Sequence, residues 1–350
     1  MKIVVLCGGL SPERNVSISS GTKVAAALMS RGHKVVLADM FYGFEDYDGD
    51  LDKIFDNPPA LGSTKIDEQE PDLDAIRASR KLKSPSAFGV GVLDVCAMAD
   101  IVYIGMHGAC GEDGRVQATF DLMGIPYTGS GYLGSAIAMD KDLTKRLVMP
   151  CGVLTPNWVL ADRDEDDLME KAHEIGLPLV VKPVDSGSSI GVAIVHEENE
   201  LAIALAEAEK HSRRIVFEQY IKGREIQIAF LDDKALPSIE IIPVEGFYDY
   251  KNKYQPGAAT EICPADIPAE AEMAARESVL AVKKALGLKA YSRADFILTE
   301  DGDLYFLEIN TLPGMTPTSL VPQEAAAVGI DYPELCQRII DISLREREVL

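Results

Sequence analysis

The sequence predicts an α/β protein of two or three domains, on three observations. Strand-like and helix-like stretches alternate from the first residues onward, as they do when helices cover a largely parallel sheet. The length of 350 residues exceeds what a single core usually supports. A hydrophobic content of 47% beside 26% charged residues is that of a globular chain.

The elements follow in order. Lys2–Leu6 is a short β-rich run, Cys7-Gly8-Gly9 a turn, Val16–Met29 a helical stretch and Lys34–Ala38 the next strand, a β-α-β start. No G-x-G-x-x-G is present, so a dinucleotide fingerprint is not supported. Ser11, Glu13 and Arg14 sit just past the first strand, where open α/β sheets bind ligands. An N-capping loop with an acid near the helix start accounts for them equally well. Glu45–Asp74 holds eleven acidic residues and two lysines around Pro58-Pro59 and reads as a solvated insertion without chemistry.

A strand at Ile101–Ile104 runs into His107-Gly108 and Gly111-Glu112-Asp113-Gly114. The glycines would let backbone amides approach a small anion, although a lone loop histidine is more often a hydrogen-bonded structural residue. Tyr132–Val148 reads as one helix with Lys141 and Lys145 four residues apart, ordinarily a solvated face.

Leu179-Val180-Val181 ends in Lys182-Pro183, and the turn Asp185–Gly191 precedes the apolar run Val192–Val195. This is not a Walker A loop. A lysine leaving an apolar strand beside such a turn would place a point charge on a phosphate, with a hairpin and a snorkelling lysine as the alternative. Ile215-Val216-Phe217 meets Glu218, and Glu225 starts the strand Glu225–Phe230, an order compatible with a backbone edge that reads a purine. The long loop Pro243–Pro264, with Phe247 to Tyr254 inside it, reads as a lid over phosphate or as a tethered crossover.

The strongest local signal is a hairpin. Ser292–Leu298 and Leu304–Ile309 flank Asp301-Gly302, a dipeptide favoured at the centre of a two-residue turn. That turn would set Asp295 opposite Glu308 and Arg293 opposite Asn310, all on one face of the sheet. Like charges directly opposite are destabilising, so two carboxylates there, with an amide beside them, point to magnesium or manganese held partly by substrate phosphates. A solvated acidic face is the plainer alternative.

The net charge of −22 argues against nucleic acid as a partner without excluding a nucleotide. No apolar run approaches the length that spans a bilayer, and Ile3–Leu6 is too short for a signal peptide, so a cytoplasmic protein is expected. The six cysteines lack C-x-x-C spacing and read as reduced, mostly buried thiols.

The ordered set LCGGLSPERNVSISSG, MHGACGEDG, GIPYTGSG, MDK, VKPVDSGSSIGV, FYDYKNKY, SRADF and LEINTLPGMTPTSLVP resembles the D-alanine-D-alanine ligases of the ATP-grasp superfamily over nearly the whole chain. The resemblance implies a substrate-binding α/β domain (1–129), a central ATP-grasp subdomain (130–218) and a catalytic domain (219–350). It implies a homodimer using ATP, D-alanine and two magnesium or manganese ions to make D-alanyl-D-alanine for peptidoglycan precursors. Acceptors of D-serine or D-lactate, and a nucleotide-binding regulatory protein on the same scaffold, are the alternatives.

By position, Lys141 and Lys182 resemble the lysines on the α and β phosphates, with Ser188 and Ser189 closing above them. Glu218, Gln219, Tyr220 and Ile221 resemble the adenine hinge, and Glu225 the ribose acceptor. Asp295, Glu308 and Asn310 match the metal ligands. Glu13 resembles the receiver of the first substrate's ammonium, in a triad with Ser188 and Tyr254, and His107 would sit near that substrate. Lys253 resembles the lid lysine on the γ-phosphate, Ser319 and the Leu320 amide the cradle for the second carboxylate, and Arg293 and the Gly314 amide the oxyanion donors. Gln219 stands where the family often has lysine, and Asn15 replaces the usual acid of the first motif. Tyr254 and Leu320 stand where ligases for other acceptors differ, so a small, apolar acceptor pocket is expected.

Overall fold

The computed structural model describes residues 1–61, 71–244 and 257–347. Lys253 and Tyr254, with the rest of the aromatic stretch, lie outside the described residues. Within them, α/β alternation organises the chain around three sheets.

β1 (Lys2–Cys7), α1 (Arg14–Ser30), β2 (Lys34–Asp39), α2 (Leu73–Ser79), α3 (Val92–Ala97), β3 (Ile101–Ile104) and α4 (Arg115–Met123) form the N-terminal layer. Its sheet is parallel in the order β2-β1-β3. Ile3 through Leu6 are wholly buried, as expected for a strand covered on both faces. The acidic block is not entirely solvated, because Phe44, Ile54 and Phe55 insert into this core. Residues 62–70 of it lie outside the described residues.

The helix expected over Tyr132–Val148 is two helices, α5 (Tyr132–Met139) and α6 (Lys141–Val148). Asp140 breaks the run in an extended conformation, and its carboxylate accepts from Leu143 N at 2.9 Å as the cap of α6, satisfying a donor that would otherwise lack a partner. The break turns Lys141 and Lys145 inward, to 6% and 0% exposure, so the solvated-face reading of these two lysines is overturned.

β4 (Trp158–Asp162), α7 (Leu168–Ile175), β5 (Leu179–Pro183), β6 (Ala193–Val195), α8 (Glu198–Ala208) and β7 (Arg214–Gln219) make the second layer, an antiparallel sheet in the order β4-β7-β5-β6. β8 (Arg224–Leu231), β9 (Lys234–Ala235), β10 (Ile239–Pro243), β11 (Ala259–Ile262), α9 (Ala269–Leu286), β12 (Tyr291–Leu298) and β13 (Leu304–Asn310) make the third. Its order is β11-β10-β8-β12-β13, with β9 on β8. β11 lies inside what the sequence presents as one long loop. α10 (Leu320–Ala327) and α11 (Tyr332–Arg347) close the chain, and α11 returns to the N-terminal layer, where Leu335, Ile339 and Ile340 share a core with Val24 and Leu28 of α1.

The β12–β13 hairpin pairs Asp295 with Glu308 and Arg293 with Asn310, as the register argument requires, but by another route. The turn is longer than two residues: Thr299 N donates to Asp303 O at 2.9 Å around Glu300-Asp301-Gly302, and Gly302 supplies φ +91°. Alone, that turn would pair Asp295 with Leu307. Leu307 instead stands as an extra residue between Phe306, opposite Phe296, and Glu308, opposite Asp295. The bulge returns the register by one residue and keeps the carboxylates on a shared face.

All six cysteines are free: Cys7, Cys96 and Cys336 are buried, Cys110 and Cys263 partly so, and Cys151 is exposed. Among the described residues no helix is long and apolar enough to cross a membrane.

Candidate active site

A cavity of about 410 Å³ opens between the second and third sheets, within the roughly 300–1,000 Å³ range of small-molecule sites. Val180 and Ile194 wall it on one side, Ile297 and Leu307 on the other, with Gln219, Tyr220 and Ile221 along its rim and Glu225 facing in. Lys141, Lys182, Asp295 and Glu308 crowd one end, with Ser189 beside them. Apolar walls with charge at one end suit a ligand with a flat apolar part and an anionic tail. The amides of Gln219 and Tyr220 already donate to Asn157 O and Pro178 O, so a base edge would meet the other backbone groups of this stretch.

The charged end is built from α6, β5 and β7. Lys141 Nζ donates to Ser186 O at 2.6 Å and lies 3.2 Å from Glu308 Oε2. Lys182 and Lys145 both pair with the Glu218 carboxylate. Burial opposes charge on Glu218, but the two lysines hold its carboxyl below the usual range. The Glu218 carboxylate is thus held by both lysines, and the residue also lines the larger cavity. Ser188 and Ser189 have φ of +50° and +57°, a region that costs non-glycine residues roughly 1–2 kcal/mol each. That strained turn lies where Lys141, the larger cavity and Glu13 converge, since Ser188 Oγ donates to Glu13 Oε1.

The third sheet contributes the oxygen face. Asp295 accepts from Arg293 Nε at 2.8 Å and from its terminal nitrogen at 3.0 Å, and from Asn310 Nδ2 at 3.3 Å. Two carboxylates and an amide oxygen on one face form a hard donor set, which fits a divalent cation completed by phosphate oxygens. Among the described residues no cluster of three or more His, Cys, Asp or Glu is placed to hold a metal, so these donors would need the ligand's oxygens.

A second cavity of about 180 Å³ abuts this face, lined by Glu13, His107, Glu112, Ser188, Arg293, Asn310, Gly314, Ser319 and Leu320 among others. It is small, as expected for the acceptor, but mixed in character rather than apolar, because Thr316, Thr318, Ser319 and Glu261 line it together with Leu320. Thr316 Oγ1 bonds to Ser319 Oγ at 2.8 Å and to Thr318 Oγ1 at 3.2 Å, so these hydroxyls largely satisfy one another. Gly314 packs closely: a Cβ there would lie 3.1 Å from Ser319 Oγ.

The loop after β3 does not present its amides to an anion. Gly108 N donates to Glu112 Oε2 at 2.8 Å and Cys110 N to Asp113 Oδ2 at 2.9 Å. Glu112 Oε1 also accepts from Leu312 N at 3.2 Å. Burial, then the neighbouring Glu13, push the Glu112 pKa well above the usual carboxylate range. Glu112 and Lys145 carry no sequence signal for a role in this site beyond their nearness to His107 and Lys141.

His107 is buried, with Nδ1 on Leu312 O at 2.9 Å and Nε2 on Ser20 Oγ at 3.3 Å. Burial lowers its pKa to about 4, against the pull of the Leu312 bond. Its folded pKa lies below the unfolded value of about 6.5, so its contribution is fully present above that value and is lost as pH falls toward 4, up to about 3 kcal/mol. His107→Gln should therefore lose less stability than the native protein between pH ~7 and ~4.5. Urea unfolding at both values checks this, and equal losses would show that His107 stays protonatable in the fold.

Residues 2–130 match the family model described as D-ala D-ala ligase N-terminus, and residues 147–341 the D-ala D-ala ligase C-terminus. The chain is 40% identical over 345 residues to a D-alanine--D-alanine ligase of Pediococcus pentosaceus, with 97% of each covered. Among solved structures it is similar to a D-alanine--D-alanine ligase of Bacillus anthracis complexed with ATP, at TM-score 0.76 and 32% identity, covering 100% of this chain and 99% of that one. It is also similar to the VanG D-Ala:D-Ser ligase of Enterococcus faecalis, at TM-score 0.75 and 30% identity, covering 98% and 99%.

Proposed function

The chain belongs to the D-alanine-D-alanine ligase family, and from that premise we propose that it joins two D-alanine molecules, with ATP converted to ADP and phosphate. One observation carries the reading: a nucleotide-sized cavity and an amino-acid-sized cavity meet at a single face, where Asp295 of the first is bonded to Arg293 and Asn310 of the second. An activated carboxyl formed at that junction is within reach of both. The division at 1–129, 130–218 and 219–350 is part of the proposal, supported by one sheet falling almost wholly within each range.

In this reading Glu13, held by Ser188, receives the ammonium of the first D-alanine, beside Glu112, whose two oxygens fix the backbone at Gly108 and Leu312. The substrate carboxylate attacks the γ-phosphorus in line, and the bond to ADP breaks, leaving an acylphosphate. Lys141 and Lys182 offset the charge of the phosphates. Divalent cations held by Asp295, Glu308 and Asn310 would, when bound, neutralise phosphate oxygens during transfer. The unprotonated amine of the second D-alanine then attacks the acyl carbon, with the Arg293 guanidinium and the Gly314 N–H as donors to the oxyanion. The C–O bond to phosphate breaks, the departing phosphate takes up the proton that the attacking nitrogen loses, and the peptide remains. Ser319 and the Leu320 amide cradle the second carboxylate. Lys253 and Tyr254 are proposed as a lid that keeps water from the acylphosphate.

Overall fold and identity do not separate acceptors, since a D-Ala:D-Ser ligase matches about as well as a D-alanine--D-alanine ligase. Local chemistry favours D-alanine. The acceptor cavity has hydroxyls, but they bond to one another and would have to part to greet a serine hydroxyl. With ATP, magnesium and equal concentrations of D-alanine, D-serine and D-lactate, D-alanyl-D-alanine should dominate, over the serine product by up to about 10-fold, the scale of the one hydrogen bond of about 0.5–1.5 kcal/mol that a serine hydroxyl would have to displace. Products are read by mass. A dominant mixed dipeptide or ester would assign a different acceptor to the same machinery.

A further inference from the structure

Lys145 reaches neither cavity, yet it is wholly buried and charged groups surround it. Its ammonium has three donors. It forms an ion pair with the Glu218 carboxylate and donates to Thr155 Oγ1 at 2.6 Å. The third side faces the ring of Trp158, 5.3 Å from the centroid. Thr155 Oγ1 in turn donates to Phe306 O at 3.0 Å, on the same strand as Glu308. A chain of contacts therefore runs from Lys182 on β5 through Glu218 on β7 and Lys145 on α6 to β13, behind the charged end of the larger cavity and from one of its sheets to the other.

We propose that Lys145 is a positioning residue for nucleotide binding: by sharing Glu218 with Lys182, it leaves the charge of Lys182 uncancelled for a phosphate. The reasoning is electrostatic. Two ammonium groups and one carboxylate leave a net positive charge in a nearly dry site, where such charges act strongly. Without Lys145, Glu218 and Lys182 form a neutral buried pair. A phosphate must then draw Lys182 away from a carboxylate with no other partner. Burial lowers the Lys145 pKa to about 8; Glu218 on β7 raises it, and Lys182 on β5 and Lys141 one turn back on α6 lower it further. Thr155, Trp158 and the Phe306 carbonyl, which complete its surroundings, do not titrate near neutral pH. The lysine is thus charged near neutral pH and loses its proton in mildly alkaline solution.

The inference rests on the nucleotide reading of the larger cavity, so the full-length native protein is titrated first with ATP and magnesium by calorimetry. Absence of binding there would reject that reading itself. Lys145→Met keeps the volume and removes the charge, and should weaken ATP binding by about 10–100-fold, the range commanded by one charge-assisted contact. Adding Glu218→Gln to Lys145→Met should restore much of the loss, because Lys182 is then no longer neutralised. A merely structural lysine would show no such rescue. Binding of Lys145→Met within about twofold of native, or a double variant weaker than the single one, overturns the proposal. If Lys145→Met does not fold, the native protein decides: its ATP affinity should fall several-fold from about pH 7 to about pH 9, and an unchanged affinity would count against Lys145.

Discussion

Asp295→Asn and Glu308→Gln are each expected to lower turnover by about 100-fold or more, the scale of several kcal/mol of lost charge stabilisation. Both substitutions are close in shape, and the residues face a cavity rather than a hydrophobic core, so the fold should persist. The local consequences differ. Asp295→Asn weakens a bidentate partner of Arg293, whereas Glu308→Gln removes the charge beside Lys141. If the two carboxylates act by holding cations against the phosphates, both variants should need more magnesium and still fail to recover at saturation. Phosphate release and dipeptide formation, with circular dichroism to verify folding, measure this. Near-normal turnover of both at saturating magnesium would remove the metal assignment.

The hairpin shows why the site could be read from the sequence and where that reading stops. Pairing of Asp295 with Glu308 follows from a two-residue turn at Asp301-Gly302, yet the turn and the strand each hold one residue more than that argument assumes. The two departures cancel at the carboxylates. Alternation along a strand reports which side chains share a face, but no periodicity marks a bulge at Leu307. Lys145 is the converse case. At four-residue spacing from Lys141 it looks like a solvated stripe, and only the break at Asp140 and the presence of Glu218, far along the chain, turn it into a buried cation.

Long-range partners account for most of what the sequence withheld. Glu112 is one acid in a glycine-rich loop until Leu312, two hundred residues later, donates to it. α11 gives no sign of its neighbour, and it packs against the first helix of the chain. Tyr254 and Leu320 predict an apolar acceptor pocket, whereas Thr316 and Thr318 of the turn just before α10, and Glu261 of the distant β11, also line it. Composition and local pattern carry the α/β alternation and the oxygen face; closure of the cavities depends on contacts that no local window contains.

Arg293→Ala should slow peptide formation by about 2.7–4 kcal/mol, the cost of removing one oxyanion donor, which is about 100- to 1,000-fold in rate. ATP affinity should change by about threefold or less, since lysines and cations hold the phosphates. The acylphosphate would still form, wait longer for the second amine and hydrolyse, so ADP should accumulate in excess of dipeptide. The structure supplies the competing outcome. Arg293 grips Asp295 through two hydrogen bonds, and its loss releases a carboxylate at the nucleotide end. If that release dominated, ATP binding, ADP formation and dipeptide formation would fall together, with the ratio of ADP to dipeptide unchanged. Measuring all three on one variant separates an oxyanion donor from a residue that only orients Asp295, and a constant ratio would reject the acyl-transfer role.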